Sequence, residues 1–272
     1  MSGKSSNQPL ITLLSDFGIS DEYVAVIKGA IAKINPISRV VDITHQIPAQ
    51  NIATARFCLM NAYPYFPEGT VHVAVIDPGV GGERRAIAVE LTQGFLVAPD
   101  NGLISGVLSQ NRAIAAVELT NSEYWLTSQV SNTFHGRDIF APVGAHLANG
   151  VSLRKLGREI NLDSLIKLDL PECQMMDDSI AGCIQYIDHF GNLVTNIPQS
   201  YVEGNNWSVE IRGSIIQARE TYSDVKVGEM IALIGSHGWV EIAVNSGNAR
   251  LELDVKIGSQ IQVFGVAKNN HE

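Results

Sequence analysis

Short runs of branched apolar residues alternate with stretches of helical period through the first half of the chain. Residues 10–15 read as a strand, and a Gly-containing turn at 16–20 follows. Residues 22–34 then place Val24, Ile27, Ile31 and Ile34 at helical spacing, with Pro36 beyond as a stop. The same alternation predicts strands at 39–43, 70–76, 86–91, 95–98 and 114–119. Helices are predicted at 52–62, 103–108 and 138–147. Strands that alternate with helices imply an α/β fold with a mostly parallel sheet. The segment 70–76 is apolar at nearly every position, as a strand buried on both faces must be.

The pattern changes near residue 165. Residues 179–188, 193–196, 207–211, 214–218, 230–234, 239–243 and 260–266 are short strand candidates separated by Gly and Asn turns. No long helical period remains, which predicts an antiparallel sandwich or barrel. The expected organisation is therefore an α/β domain over 9–164, a linker over 165–174 and a second, antiparallel domain over 175–268. The polar residues 1–8 read as a disordered leader.

Composition narrows the function classes. Nineteen Lys and Arg stand against 28 Asp and Glu, a formal charge of −9. Such a chain lacks the basic surface that counterion release on DNA, RNA or anionic membranes needs. A small-molecule ligand remains open, since it needs only a local site. The three cysteines, Cys58, Cys173 and Cys183, have no CxxC spacing and read as small buried thiols in a reducing compartment. With no secretory signal and no apolar run long enough to span a membrane, a cytoplasmic location is expected.

Polar clusters fall where the pattern ends elements. Asp16, in SDFG, closes the first strand, where an open α/β sheet binds ligands and a carboxylate can accept two bonds from vicinal ribose hydroxyls. The alternative is that Asp21, or less readily Asp16, caps the helix that follows. Asp77 opens DPGVGGERR, whose spacing fits neither a dinucleotide fingerprint nor a Walker loop. Arg84 stands far enough along to fold back onto Asp77. His135, in TFHGRD at a helix entrance, suits proton exchange near neutral pH or a structural role, and Asp138 suits the helix N-terminus. In DHFGN, Phe190 offers a stacking face and Asn192 a donor–acceptor pair for an adenine edge; the same residues suit a hairpin turn. SHG at 236–238 and NSGN at 245–248 read as turns.

Taken in order, LLSDFG, DITHQI, FPEGTVHVAVIDPGVGGERR, APDNG, TFHGRDIFAP, DHFGNLVTNI and LIGSHGWVEIAVN resemble the S-adenosylmethionine hydroxide adenosyltransferases, relatives of fluorinase and chlorinase. The resemblance spans about 10–266. It implies an N-terminal α/β domain, a C-terminal β-barrel and a homotrimer with sites at subunit interfaces. The implied reaction is attack of water or hydroxide on C5′ of S-adenosyl-L-methionine, releasing adenosine and L-methionine. S-adenosylmethionine is then the substrate, and no separate cofactor or metal is expected. By resemblance, Asp77, Arg84 and His135 fall on an Asp-Arg-His triad and Asp16 on the ribose carboxylate. Phe190 and Asn192 match the adenine stretch, with Ser246 near it through its backbone. Asp21, Asp188, Ser236 and Glu241 fall around the methionine moiety. The halogenating relatives carry an aromatic residue where Asp77 stands. Three rivals remain: a binding module without turnover, a halide-using adenosyl transferase, and a metal-dependent hydrolase built on Asp16, Asp77, His135 and Asp138.

Overall fold

The computed structural model describes residues 8–202 and 206–265, and the chain divides into two compact units, Met1–Leu168 and Asp169–Glu272. In the first unit, the strands are β1 (Leu10–Ser15), β2 (Arg39–Thr44), β3 (Thr70–Val75), β4 (Ala86–Leu91), β5 (Gly94–Pro99), β6 (Ala113–Glu118) and the two-residue β7 (Arg158–Glu159). The helices are α1 (Tyr23–Ile34), α2 (Ile52–Ala62), α3 (Ser105–Gln110) and α4 (Ala141–Ala148). The expected polar leader, apart from Gln8, lies outside the described residues. Gln8 itself donates from Nε2 to the Ile37 carbonyl at 2.6 Å, so it is tied to the fold.

The sheet runs in the order β2-β1-β3-β5-β4-β6-β7. β1 is parallel to β2 and β3, and β3 is parallel to β5. The other three pairings are antiparallel; for β4 and β5 the two-residue connection permits a hairpin and no crossover. The sheet is thus parallel in its first half and antiparallel in its second. Chain order reverses between β1 and β3, which sets the carboxyl ends of these neighbours at the switch point.

Alternate residues feed two cores. Ile11, Leu13, Val71, Val73 and Val75 pack with Ile27 and Ile31 of α1 and Val143 and Leu147 of α4. Leu14, Ala74 and Ile76 pack with Ala55 and Leu59 of α2 and Val107 of α3 on the other face. Every residue of β3 is buried, as its apolar run requires. Asn51 caps α2, its side chain accepting from Thr54 N at 3.0 Å. Neither Asp16 nor Asp21 caps α1, whose N-cap is Glu22 without a side-chain bond. That leaves Asp16 available for its own site and Asp21 exposed.

The second unit is an antiparallel sheet coiled nearly into a barrel. Its strands are β8 (Gln174–Met175), β9 (Ser179–Ile187), β10 (Leu193–Pro198), β11 (Ser208–Ile211), β12 (Ser214–Gln217), β13 (Met230–Ile234), β14 (Trp239–Val244) and β15 (Gln260–Phe264). The order is β12-β11-β15-β9-β10-β14-β13, with β8 on β9. An isolated bridge from Ala218 to Ala232, with Arg219 N donating to the Ala232 carbonyl at 2.9 Å, draws the two edges together. Ile180, Ile184, Leu193, Val209, Ile242 and Val263 fill the interior. A short helix, α5 (Ala249–Leu253), is capped by Asn248, whose Oδ1 accepts from Leu251 N at 3.0 Å. The expected end of the last strand at Val266 lies outside the described residues. Cys183 is buried, as expected of a small core thiol, while Cys58 and Cys173 are only half-buried.

One buried titratable group makes the fold pH-sensitive. His72 in β3 is 2% exposed, shares a 2.8 Å hydrogen bond with the Thr12 hydroxyl, and lies against the Tyr63 and Phe66 rings. Burial pushes its pKa down from 6.5 to about 4. Between those values the unfolded chain binds the proton and the folded chain does not. Stability contributed by a neutral His72 is therefore full above pH 6.5 and falls toward pH 4, by up to about 1.4 kcal/mol per pH unit. Urea unfolding at pH 7 and pH 5 should show this loss, and His72→Gln should flatten it.

Candidate functional site

Two cavities gather most of the residues singled out from sequence, one in each unit. The cavity in the α/β unit measures about 260 Å³ and is lined by Asp16, Gln50, Asp77, Val80, Phe134 and Gly136, among others. Its position follows from topology: Asp16 leaves β1, and Asp77 leaves the segment that extends β3. The Asp16 carboxylate accepts from the Gln50 backbone N–H at 2.7 Å through one oxygen. Gln50 adopts φ 64°, a conformation costly for a non-glycine residue, and lines the cavity in that state. Beneath Asp16, the Ser15 hydroxyl bonds His45 Nδ1 at 2.7 Å, and the His45 carbonyl accepts from Gly18 N at 2.8 Å. The turn after β1 is thereby anchored.

The loop after β3 folds back on itself as its spacing allowed. Arg84 Nε donates to Asp77 Oδ1 at 2.8 Å, and a terminal nitrogen donates to Oδ2 at 2.5 Å. That same nitrogen donates to His135 Nδ1 at 2.6 Å. A guanidinium has no lone pair to offer, so Nδ1 must be the acceptor and the neutral ring carries its proton on Nε2. The tautomer of His135 is thus dictated by Arg84. Side-chain exposures of 5% for Asp77 and 11% for Arg84 put the pair largely out of water, where a bidentate charge-assisted geometry counts most. The Arg84 guanidinium also lies 5.4 Å from the Phe140 ring centre. Asp77 faces the cavity, while Arg84 and His135 are not among the lining residues. Gly81 allows the loop its shape: at φ 74°, a Cβ there would sit 2.3 Å from the Asn132 carbonyl oxygen.

His135 precedes a π-helical turn, Gly136–Phe140, that runs into α4; such turns recur at functional sites. Asp138 stands in the first turn of this helix, where its charge is favourable. Its wholly buried carboxylate accepts from Arg137 at 2.6 and 2.9 Å and from Ser131 N at 2.8 Å. Burial alone would raise the Asp138 pKa, but these bonds and the Arg137 charge hold it below the usual carboxylate value. The π turn and its preceding loop are tied together by this group. Phe134 stacks edge-on with Phe17 at 5.6 Å and with Tyr23 at 5.2 Å, and Phe17 and Phe134 line the cavity as an aromatic wall.

The barrel cavity, about 420 Å³, is lined by Asp188, Phe190, Asn192, Tyr222, Ser236 and Glu241, among others. Asp188 organises its own turn: Oδ1 accepts from Phe190 N at 2.9 Å and Asn192 N at 2.8 Å, and Oδ2 from Asn192 Nδ2 at 2.9 Å. The hairpin role and the binding role of this stretch are therefore compatible. Asn192 keeps its carbonyl oxygen and a second amide hydrogen, while Phe190 is 69% exposed. Gly191 at φ 85° lets the turn lie against Asn248, where a Cβ would come within 2.2 Å of that side chain. Ser246 is exposed at φ 59° and does not line the cavity. Glu241 is 4% exposed and accepts from the Tyr222 hydroxyl at 2.7 Å, with His237 Nε2 at 3.2 Å. Burial and the Glu241 bond raise the Tyr222 pKa, so the phenol stays a donor.

Known proteins decide the family. The SAM hydroxide adenosyltransferase N-terminal domain model matches residues 11–157, and the C-terminal domain model matches 182–262. The chain belongs to the SAM hydroxide adenosyltransferase family. It is 39% identical over 256 residues to an (R)-S-adenosyl-L-methionine hydrolase of Salinispora tropica, covering 94% of this chain and 97% of the relative. A protein of the same name from Thermus thermophilus is 38% identical, covering 93% and 99%. A Nocardia brasiliensis fluorinase is more distant, at 26% identity over 95% or more of both chains. Among solved structures, an uncharacterized conserved protein from Thermotoga maritima superposes with a TM-score of 0.88 at 35% identity, covering 93% and 99%. A conserved hypothetical protein from Thermus thermophilus gives 0.79 at 36%, covering 95% and 100%.

In this adenosyltransferase chain, Asp16 and Asp77 share one cavity, and Asp188, Phe190, Asn192, Ser236 and Glu241 share the other. Asp21 joins neither. Sequence reasoning missed Gln50, Phe17, Phe134, Tyr222 and His237 as cavity residues. Phe17 lay within LLSDFG and Phe134 within TFHGRD, and Gln50 stood just beyond DITHQI, so those motifs carried a signal for all three; nothing in sequence announced Tyr222. Among the described residues, no group of three His, Cys, Asp or Glu side chains stands close enough to hold a metal ion.

Electrostatics around His135 give a direct test. Burial lowers its pKa below 6.5, and the Arg84 charge lowers it further, against upward pulls from Asp77 and Asp138. NMR titration of the His135 ring should find a midpoint below 6.5. Arg84→Ala should move that midpoint up, because the cation is removed and both carboxylates remain.

Proposed function

We propose that this chain hydrolyses S-adenosyl-L-methionine to adenosine and L-methionine, using water held by Asp77 at the mouth of the segment that extends β3. The observation that carries the reading is the Asp77 carboxylate, cavity-facing and locked by Arg84. The sulfonium is a ready leaving group, so no acid need protonate it. What the protein must supply is an oriented nucleophile in line with the C5′–S bond, freed of competing solvent. As the water oxygen bonds C5′, the C5′–S electron pair passes to sulfur and yields neutral methionine. The water proton passes to Asp77 and then to solvent. A carboxylate is a weak base toward water, which favours proton transfer concerted with bond formation. Because Arg84 occupies His135 Nδ1, a direct transfer to Asp77 is favoured over a relay through that nitrogen.

The same carboxylate argues for water over halide. A fixed negative charge beside the nucleophile repels chloride or fluoride while accepting a hydrogen bond from water. In this reading Asp16 accepts the ribose hydroxyls, Phe190 stacks on adenine, and Asn192 pairs with its edge, with Ser246 close through its backbone. Asp188, Ser236 and Glu241 take the methionine end, to which Asp21 is also assigned. Substrate activation resides in the sulfonium, so neither a metal nor a separate cofactor enters.

Incubation of the purified protein with S-adenosylmethionine in H₂¹⁸O and chelator should give methionine and adenosine labelled at O5′. The relatives' names specify the R configuration at sulfur, so the R epimer should turn over faster than the S epimer. Asp77→Asn should lower turnover by about two to four orders of magnitude with little change in substrate affinity. Unlabelled adenosine, or full activity in that variant, would contradict the proposal.

A homotrimer with sites at subunit interfaces belongs to the same reading, as does a cytoplasmic location. Among the described residues no helix is long and apolar enough to cross a membrane. Sedimentation equilibrium should return three times the 29.4 kDa chain mass; a monomer mass would overturn the trimer.

A further inference from the structure

The loop that carries Asp77 and Arg84 is held at both of its ends by one dipeptide, Asp100-Asn101, in the turn after β5. At the loop's start, the β3–β5 ladder pairs Val73 with Val97 and goes no further. Three residues on, the buried Ile76 carbonyl would lack a donor from its neighbour strand. Asn101 supplies it, Nδ2 donating at 2.8 Å. The Asn101 amide is itself oriented, since its Oδ1 accepts from Leu103 N at 3.2 Å and its backbone N–H bonds the Pro99 carbonyl at 3.1 Å. Ile76 is bonded directly to Asp77, so this contact fixes the peptide plane from which the Asp77 side chain departs.

The loop's far end is held by the neighbouring residue. Asp100 is 1% exposed, and its Oδ2 accepts from Arg85 Nε at 2.9 Å and from a terminal Arg85 nitrogen at 2.5 Å. Its backbone N–H bonds the Arg85 carbonyl at 2.9 Å. Its other carboxylate oxygen accepts from Ile166 N at 2.9 Å, so both oxygens are engaged. Arg84 and Arg85 are adjacent, and their side chains serve opposite ends: Arg84 reaches back to Asp77, and Arg85 pins the strand entrance to Asp100. The Asp77–Arg84 geometry is therefore closed by a rigid frame whose two attachment points are consecutive residues.

We infer that Asp100 and Asn101 are positioning residues, a clamp that fixes both ends of the 77–85 loop and so sets the direction in which the Asp77 carboxylate faces the cavity. This inference rests on the reading of Asp77 as the group that receives the water proton. Displacement of a reacting group by about 1 Å costs on the order of a hundredfold in rate, so a clamp of this kind acts on turnover and leaves substrate affinity alone.

The test is a pair of double-mutant cycles on the full chain. Asn101→Ala and Asp100→Asn are each made in the natural background and in the Asp77→Asn background, and kcat and KM are measured where circular dichroism shows the variant folded. In the natural background kcat should fall about 10- to 100-fold with KM within about twofold. In the Asp77→Asn background the same changes should lower kcat by less than about twofold, since no carboxylate is left to aim. Should Asn101→Ala fail to fold, Asp100→Asn, which keeps the side-chain shape, carries the comparison. An unchanged kcat in the natural background, an equal loss in both backgrounds, or a loss expressed in KM would overturn the clamp. If Asp77→Asn alone turns over like the natural chain, the reading of Asp77 is wrong and the clamp falls with it, a result distinct from the others.

Discussion

The ion pair between Asp77 and Arg84 is the constraint on which the α/β unit's site depends. Two opposite charges removed from water repay their desolvation only when the geometry is good and the remaining hydrogens find partners. Here a bidentate bond uses one edge of the guanidinium, and a further hydrogen goes to His135. From that one contact follow the closure of the loop, the tautomer of His135 and the direction in which a carboxylate meets the cavity. Removing either partner would leave an uncompensated charge, at a cost of about 3–5 kcal/mol for a buried pair. The glycines around the loop matter because they let its backbone turn tightly enough for the contact to form.

Charge runs consistently through the molecule. The barrel cavity presents Asp188, Glu220 and Glu241 with no lysine or arginine in its lining, and the whole chain carries −9. Such a lining suits a cationic ligand better than an anionic one, in keeping with the proposed sulfonium substrate. Two of these carboxylates are held by their own donors: Asp188 by the turn it organises, Glu241 by Tyr222 and His237. Preorganised acceptors of this kind need no rearrangement when a ligand arrives.

Much of the fold was legible because period and composition are local properties. The 3.6-residue spacing of α1, the all-apolar β3 and the Gly- and Asn-punctuated strands after residue 165 each announce their element without reference to the rest of the chain. The extents came close: α2 was placed at 52–62, its full length. Less legible were the two-residue strands β7 and β8 and the short helix α5, which are too brief to establish a period. The antiparallel half of the first sheet also escaped, because strand direction is set by the reach of a connection and by which neighbour a strand finds. Asp138 illustrates the same limit. It stands in the first helical turn, as its place at a helix entrance implied, yet its partners, Arg137 and the Ser131 N–H, are brought within reach only by the π turn.

By itself, then, the sequence determined where chemistry-bearing residues leave their strands: Asp16 after β1, Asp77 beyond β3, His135 before α4. It also determined that Arg84 could return to Asp77, since seven residues with three glycines permit that turn. Tertiary structure alone decided that Arg84 reaches His135 as well, 51 positions away, and that Asn101 and Asp100 grip the two ends of the same loop. It also decided that Tyr222 donates to Glu241. Those contacts join residues remote in the chain, and their existence depends on strand order and register, which no local pattern of side chains encodes.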